Sequence, residues 1–259
     1  SEDRAMRFAA RIALEWQDPA LWREKALKEK DERKSIAALV ALARVSSRDE
    51  FHRQEPDPKP AAGLQATILS ALDRIEWKEL DSEQDRLDLL RAYALTFTRL
   101  GKPDESTRRS LAAKFEPLYP AKSRELNAEL APMLVYLEAP TAASKLVAAL
   151  RTAPTQEEQM DIARALRVCT TGWTQPLREE YFRWFLKAAN FKGGSSMRGF
   201  LRDIKADAME NLSEADQLAL KPILETKPQV VSPFDALTSR EVVKQYTVAD
   251  LAPIVEKGI

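Results

Sequence analysis

Apolar residues recur every three to four positions along nearly the whole chain, and charged residues fill the positions between them. This spacing places the apolar side chains on one face of a helix, so the pattern predicts amphipathic α-helices rather than strands. The commonest residue types, Ala, Leu, Glu, Lys and Arg, are also strong helix formers. The predicted helices span residues 3–16, 19–29, 31–45, 62–77, 82–100, 104–117, 121–137, 141–152, 155–169, 175–190, 196–211, 214–226, 238–245 and 248–257.

Helix start signals agree with several of these boundaries. Asp18 followed by Pro19 is typical of an N-cap with Pro at the first helical position. Thr155 with Glu158, and Thr238 with Glu241, fit the capping box, in which two side chains satisfy free N–H groups at a helix start. Looser boxes with Asp are Ser213–Asp216 and Thr247–Asp250.

Most gaps between the predicted helices are short, so consecutive helices are expected to pack as antiparallel hairpins. Two gaps are longer and rich in Pro. Residues 46–61 predict an exposed loop, and residues 227–237 predict an extended connector. We therefore expect a helical-repeat domain over residues 1–227, then a connector and short helical tail over 228–259 that leads to a further domain.

The fold that this organisation predicts is all-α, an α-solenoid of antiparallel helix pairs with about 12–14 helices. The clearest unit is Thr141–Val168, whose two helices carry apolar faces on either side of a short turn containing Pro. Because the repeat period is not strict, an irregular all-α bundle is the alternative.

Composition excludes several classes of protein. The chain has 259 residues with 40 basic and 40 acidic side chains, so it has no net charge, whereas proteins that coat nucleic acid are usually basic. Its 7 Gly argue against a Rossmann loop or a P-loop, which need Gly at fixed positions. A single Cys and a single His exclude a disulfide framework and a Cys-based zinc site.

Two resemblances add to this picture. The opening segment matches the second helix of a HEAT repeat at Asp3, Met6, Arg7, Ala10, Ala13 and Leu14, with Met in place of the usual Val. More specifically, the chain resembles the helical-repeat segment of large exported bacterial haem proteins. That likeness is carried by Val135–Pro140, Trp173–Phe185, Gly193–Ser195, Phe200, Ile204, Ala208–Ser213 and Val242–Leu251.

In that family, a propeller dehydrogenase-like domain can precede this segment and a Cys-x-x-Cys-His cytochrome domain commonly follows it. The resemblance therefore implies a position within a multidomain electron-transfer protein and an exported, periplasmic location. No haem ligand is carried over, because Cys169 is followed by Thr170 and Thr171, and His52 is the only His. We expect no cofactor in this chain.

Residues 173–202 are the richest candidate surface, since aromatic and basic residues alternate there. Buried aromatic core is the favoured interpretation, with stripes at Leu177–Ala188 and Phe200–Ala208; a partner-protein surface and single-stranded nucleic-acid binding are the alternatives. The candidate partner surface consists of Trp173, Arg178, Arg183, Lys187, Phe191, Lys192 and Arg198.

Other chemistry-bearing residues favour plain structural roles. His52 is expected to be an exposed loop residue, and Cys169 a packed thiol at a helix end. Gly193–Ser196 predicts a turn with a Ser cap, or less readily an anion site. The mixed charges of Lys28–Lys34 indicate a solvated helix junction.

The function expected from these observations is a non-catalytic scaffold or spacer that positions or docks neighbouring domains. A protein-binding adaptor that uses residues 173–202 is the alternative, and a HEAT-like nucleic-acid enzyme such as a DNA-base glycosylase is a third. We expect the isolated chain to be a monomer that binds neighbouring domains or another protein, without nucleic acid and without insertion into a membrane.

Overall fold

The computed structural model describes residues 3–55, 57, 59–230, 245 and 247–257. Within these residues the chain forms thirteen α-helices and no strand, which confirms the all-α class. The helices are α1 (Arg4–Glu15), α2 (Pro19–Lys28), α3 (Glu32–Ser46), α4 (Leu64–Asp73), α5 (Glu83–Leu100), α6 (Glu105–Phe115), α7 (Arg124–Tyr136), α8 (Ala142–Thr152), α9 (Gln156–Leu166), α10 (Gln175–Ala188), α11 (Met197–Glu210), α12 (Glu214–Leu224) and α13 (Val248–Lys257).

Cap chemistry sets many of these helix starts. The Asp18 cap and the capping boxes at Thr155 and Ser213 form as the sequence predicts. Thr247 and Asp250 also exchange hydrogen bonds at the start of α13. A further box between Ser82 and Asp85 starts α5, although the sequence analysis did not identify it. Except for Gln245, which is not helical, the predicted helix 238–245 lies outside the described residues, as does the box at Thr238.

Several predicted helices were too long, and two of them differ most clearly from the structure. The helix expected over 62–77 ends at Asp73, and Trp77–Glu79 forms a separate 3₁₀ turn. The helix expected over 121–137 begins only at Arg124, because the Ser123 hydroxyl accepts the backbone N–H of Leu126 and caps the helix there. Local side-chain hydrogen bonds of this kind stop or start a helix without changing its apolar period.

The main packing contacts join helices that are one or two positions apart in the chain. Among odd-numbered helices, α3 packs on α1, α5 on α3, α7 on α5, α9 on α7 and α11 on α9. Among even-numbered helices, α4 packs on α2, α10 on α8 and α12 on α10. Several neighbours in sequence also pack on each other, namely α2 with α3, α3 with α4, α4 with α5, α6 with α7, α7 with α8, α8 with α9 and α10 with α11.

Apolar side chains from this whole series form one continuous core that extends from Trp22 to Ile223. Its largest fully buried members include Tyr93, Phe115 and Tyr181. Burying large aliphatic and aromatic side chains is the dominant stabilising contribution in a domain of this kind.

Ion pairs repeat the same order of contacts at the surface. They join helices two positions apart, and each pairs an Arg or Lys with an Asp or Glu: Arg44–Glu15, Arg33–Asp85, Lys114–Asp73, Arg124–Asp161, Arg151–Glu180, Arg167–Asp207 and Arg178–Asp216. Single exposed pairs contribute little stability, typically about 0–1 kcal/mol, but opposite charges in register favour the correct pairing of helices.

In the loop predicted over residues 46–61, Phe51–Glu55 and Lys59 are exposed, Ser47, Asp49 and Asp57 are half-buried, and a 3₁₀ turn forms at Glu50–His52. Arg99 on α5 anchors its start, because its Nη1 donates to the Ser47 carbonyl at 3.0 Å. Lys28–Lys34 spans the junction of α2 and α3, as its charges predict. Residues 226–230 are exposed and non-helical, and the remainder of the predicted connector lies outside the described residues.

Candidate partner surface

Helix α10 supplies the aromatic part of the candidate surface, and most of its rings point into the core. Tyr181, Trp184 and Phe185 are buried with Ala188, as the helical spacing predicts. Tyr181 lies 5.2 Å from Phe185 between ring centroids, and Trp184 lies 5.0 Å from Phe185. Phe200, in contrast, was expected in a buried stripe on α11 but is 40% exposed.

The hydroxyl and indole N–H groups of these aromatic side chains form hydrogen bonds inside the protein. The Tyr181 hydroxyl donates to the Ala163 carbonyl at 2.8 Å, and the Trp184 indole N–H donates to Gln159 Oε1 at 3.0 Å. The Trp173 indole N–H donates to the Cys169 carbonyl at 2.8 Å. Desolvation by burial raises the pKa of the Tyr181 hydroxyl, so this group stays neutral. The aromatic cluster therefore joins α10 to α9.

Trp173, Arg178 and Phe191 lie partly buried at the edge of this cluster. The Arg178 guanidinium sits 5.3 Å from the Trp173 ring centroid and pairs with Asp216 on α12 at 3.3 Å. Phe191 packs edge-on against Trp184, with ring centroids 5.8 Å apart. These three residues thus fasten α10 to its surroundings and offer only part of their surface to a partner.

The remaining predicted residues are exposed and basic. Arg183 pairs with Glu179 one turn earlier on α10 at 3.1 Å. The Lys187 ammonium lies 3.4 Å from Gln159 Oε1. Lys192 uses its backbone N–H to contact Gln156 Oε1 at 3.1 Å. Together with Arg198 at the start of α11, they make the exposed surface of α10 and the following turn cationic rather than aromatic.

The turn at Gly193–Ser196 precedes α11, but the Ser cap predicted there does not form. Ser196 has helical backbone angles, and its side chain makes no cap hydrogen bond. An N-cap hydroxyl reaches the free N–H groups only from an extended backbone, so the helical angles of Ser196 remove the geometry for capping.

Cys169 and His52 have the surroundings that the sequence predicts. Cys169 is buried in the turn after α9, and desolvation raises the pKa of its thiol, which disfavours the reactive thiolate. His52 is exposed, and its Nδ1 lies 2.6 Å from Asp49 Oδ1. Within the described residues, no cluster of three or more His, Cys, Asp or Glu side chains is arranged to hold a metal ion.

A groove of about 660 Å³ between α7 and α9 is a second surface feature, and the sequence pattern gives no sign of it. Tyr136 and Val168 expose 37% and 54% of their surface beside it. Its lining also includes the charged residues Lys102, Arg164, Arg167, Glu129, Glu138 and Asp161. Since cations and anions are equal in number there, this groove does not form the basic track that a nucleic-acid backbone prefers.

Glu138, at one edge of this groove, holds the end of α7 in an uncommon conformation. It adopts a left-handed backbone with φ of 55°, a position that usually takes Gly. Its carboxylate accepts hydrogen bonds from Lys102 Nζ at 2.5 Å and Arg108 Nη2 at 3.0 Å. The hydrogen bond from Lys102 is the main cause of the lowered pKa of this carboxyl. Two cations thus stabilise a turn that a Glu would otherwise disfavour.

Comparisons with known proteins found no matching family model, no matching curated protein and no matching solved structure. No helix among the described residues is long and apolar enough to cross a bilayer.

Proposed function

We propose that this chain is a HEAT-like helical-repeat scaffold, built as a solenoid, that positions or docks neighbouring domains. The observation that carries this proposal is the order of packing, in which main contacts link each helix to helices one or two positions away. A stack of helix pairs gives this pattern, because each repeat touches only its neighbours. A bundle around one centre would bring distant helices together as well.

The ion pairs add independent support for a stack. Odd-numbered helices are linked by pairs such as Arg124–Asp161, and even-numbered helices by pairs such as Arg151–Glu180. Two parallel series of charge contacts are expected where two rows of helices run side by side. In such a stack the charged side chains pair with each other and hold the helices in register. A rigid stack of this kind suits a spacer between functional domains.

The larger context that we propose is an exported bacterial haem protein, in which this chain is a non-catalytic segment without its own cofactor. This part of the proposal rests on the sequence resemblance alone, chiefly Val135–Pro140 and Trp173–Phe185. It is tested by reading the coding sequence beyond residue 259, where a Cys-x-x-Cys-His motif is expected. A following sequence without any haem motif would contradict it.

Small-angle X-ray scattering tests the solenoid. Residues 1–226 contain all members of the continuous core among the described residues, and a compact domain of that length has a radius of gyration of about 17 Å. We expect a clearly larger radius and an asymmetric distance distribution. A radius of about 17 Å with a symmetric distribution would favour the irregular bundle instead.

A protein-binding adaptor is the second candidate, and the exposed cations of α10 and its following turn favour it. Such a surface suits an acidic protein partner. Reversal of Lys187 and Lys192 to Glu should then weaken binding of a purified partner domain, whereas reversal of Arg23 on α2 should not. Equal binding by both variants would remove this surface from consideration.

A further inference from the structure

The last described helix, α13, leaves its apolar stripe exposed. Val248, Leu251 and Val255 follow helical spacing on one face, and they expose 86%, 45% and 76% of their surface. The helix has only ten residues. Isolated helices of this length are marginal in water, so most of their stability comes from an apolar face that packs on something else.

A groove formed by the first helices of the series offers apolar side chains to such a helix. It has a volume of about 440 Å³ and lies across α1, α3 and α5. Ile36, Ala37 and Val40 of α3 supply an apolar floor. Phe8 of α1 forms one side and exposes 58% of its surface.

The charges around this groove are complementary to those of α13. Four arginines and two aspartates line the groove: Arg7, Arg11, Arg33, Arg91, Asp85 and Asp88. Helix α13 carries Asp250 and Glu256 against Lys257. Arginine remains in excess around the groove after the Arg33–Asp85 pair is counted, so the net charge there is opposite to that of the amphipathic helix α13, which favours docking.

We propose that α13 of one copy of this chain docks in the α1–α3–α5 groove of a second copy. Within one chain, α13 follows α12, whereas the groove lies at the other end of the series from α1 to α11. In the stack proposed above, on which this step rests, five steps between packed helices at 8–10 Å each amount to about 40–50 Å, a distance that docking between two copies does not have to bridge.

The contact joins two different surfaces, so it is head-to-tail and can extend from copy to copy. A ten-residue helix buries less than a standard interface, and the association is therefore weak and transient. The chain is monomeric when dilute, and it associates as its concentration approaches about 1 mM, where a weak contact of this size begins to fill.

Sedimentation equilibrium of the whole chain tests this proposal. The weight-average mass should rise above 29.2 kDa between about 10 µM and 1 mM. Leu251→Asp on the helix and Arg91→Glu at the groove should each weaken association at least about fivefold, which corresponds to roughly 1 kcal/mol. The matched controls are Leu218→Asp on α12 and Arg23→Glu on α2, which change the same residue types at exposed positions elsewhere and should leave association unchanged.

A mixture of the two variants gives the sharpest result. Leu251→Asp keeps an intact groove and Arg91→Glu keeps an intact helix, so together they can form one productive contact and should yield a 1:1 complex. A mixture that stays monomeric would overturn the proposal. So would a constant mass up to 1 mM, or controls that weaken association as much as the test variants.

Hydrogen exchange separates this contact from docking within one chain. Amides of α1, α3 and α13 should become more protected as the protein concentration rises. Protection that is present at all concentrations would show that α13 docks on its own chain, and the proposal of a second copy would then be wrong.

Discussion

Helices α1 and α10 look alike in sequence and differ in how the fold uses them. Both are amphipathic, and both carry aromatic residues beside arginines. In α10, Phe182 and Phe185 are 2% and 7% exposed, whereas Phe8 of α1 is 58% exposed. Arg178 of α10 pairs across to α12, while Arg11 of α1 pairs with Glu15 on its own helix.

Position in the series accounts for this difference. Helix α10 contacts α8, α11 and α12, so neighbours cover it on several sides. Helix α1 has its main contact with α3 alone. The same kind of helix is therefore core in the interior of the series and half-covered at its end, which is the behaviour expected of a stack with distinct terminal repeats.

Two tryptophans give the largest test of this comparison. Trp184 is 6% exposed and hydrogen-bonded, so Trp184→Ala should lower the free energy of unfolding by about 3–5 kcal/mol through the cavity and the lost contacts. Trp16, at the end of α1, is 82% exposed, and Trp16→Ala should change the free energy of unfolding by about 0.5 kcal/mol or less. Urea denaturation measures both, and equal losses would refute the difference between the two regions.

The turn that leads into α10 is held just as tightly. Gly172 has φ of +73°, and a Cβ there would lie 2.4 Å from the Pro140 carbonyl oxygen. Gly172→Ala should therefore combine backbone strain with a steric clash, for a loss of about 2–5 kcal/mol. Gly101, with φ of +95° and open space around its Cβ position, is the control without a clash and should show only the backbone strain, about 1–3 kcal/mol. Similar losses at the two glycines would mean that the turn relaxes away from Pro140.

The sequence predicts the helices well because their apolar period is a local property. It also predicts the capping box at Thr155 and the buried stripe of Tyr181, Trp184 and Phe185, since both follow from spacing within one helix. It could not predict that Phe8 and Phe200 are partly exposed. A period shows which face of a helix is apolar, but only the arrangement of other helices determines how much of that face is covered.

Long-range polar contacts were missed for the same reason. Gln159 on α9 is 6% exposed and accepts from Trp184 on α10, but nothing in the local sequence distinguishes it from a surface Gln. Glu138 is similar, because its left-handed conformation depends on Lys102 and Arg108 from earlier in the chain. Helical spacing carries no information about partners that lie about 30 residues away.

Gln159→Leu tests whether the polar anchor of α10 matters as much as its rings. The substitution removes the acceptor of the buried Trp184 N–H, so we expect a loss of about 1–3 kcal/mol. Gln217→Leu, at an exposed position on α12, should have little effect. The free energy of unfolding is compared for the two variants by urea denaturation, and a neutral Gln159→Leu would show that the indole N–H finds another acceptor.

Glu138 tests how much an ion pair in the interior of the helix series contributes to stability. Its carboxyl has a pKa below the ordinary value, so the charged form stabilises the folded state. This contribution is fully present above the pKa of the unfolded chain, about 4.3, and it is lost as the pH falls through the folded pKa. The stability difference between wild type and Glu138→Gln should therefore shrink as the pH drops from 6 to 3, as measured by thermal unfolding at each pH. A difference that does not change with pH would assign the effect of the substitution to the turn and not to the charge.

Phe8→Ala should give the smallest effect on stability and the clearest effect on association. Phe8 contacts the Arg11 guanidinium at 5.3 Å from its ring centroid, and an exposed contact of this kind contributes about 0.5–1 kcal/mol. In dilute solution the variant should therefore unfold within about 1 kcal/mol of wild type, whereas Phe185→Ala should lose about 3–5 kcal/mol. At concentrations near 1 mM, Phe8→Ala should also reduce self-association, because Phe8 forms one side of the groove proposed for α13. A large loss of stability in the dilute monomer would show that α1 is covered as completely as α10, and the contrast between the end and the interior of the series would then disappear.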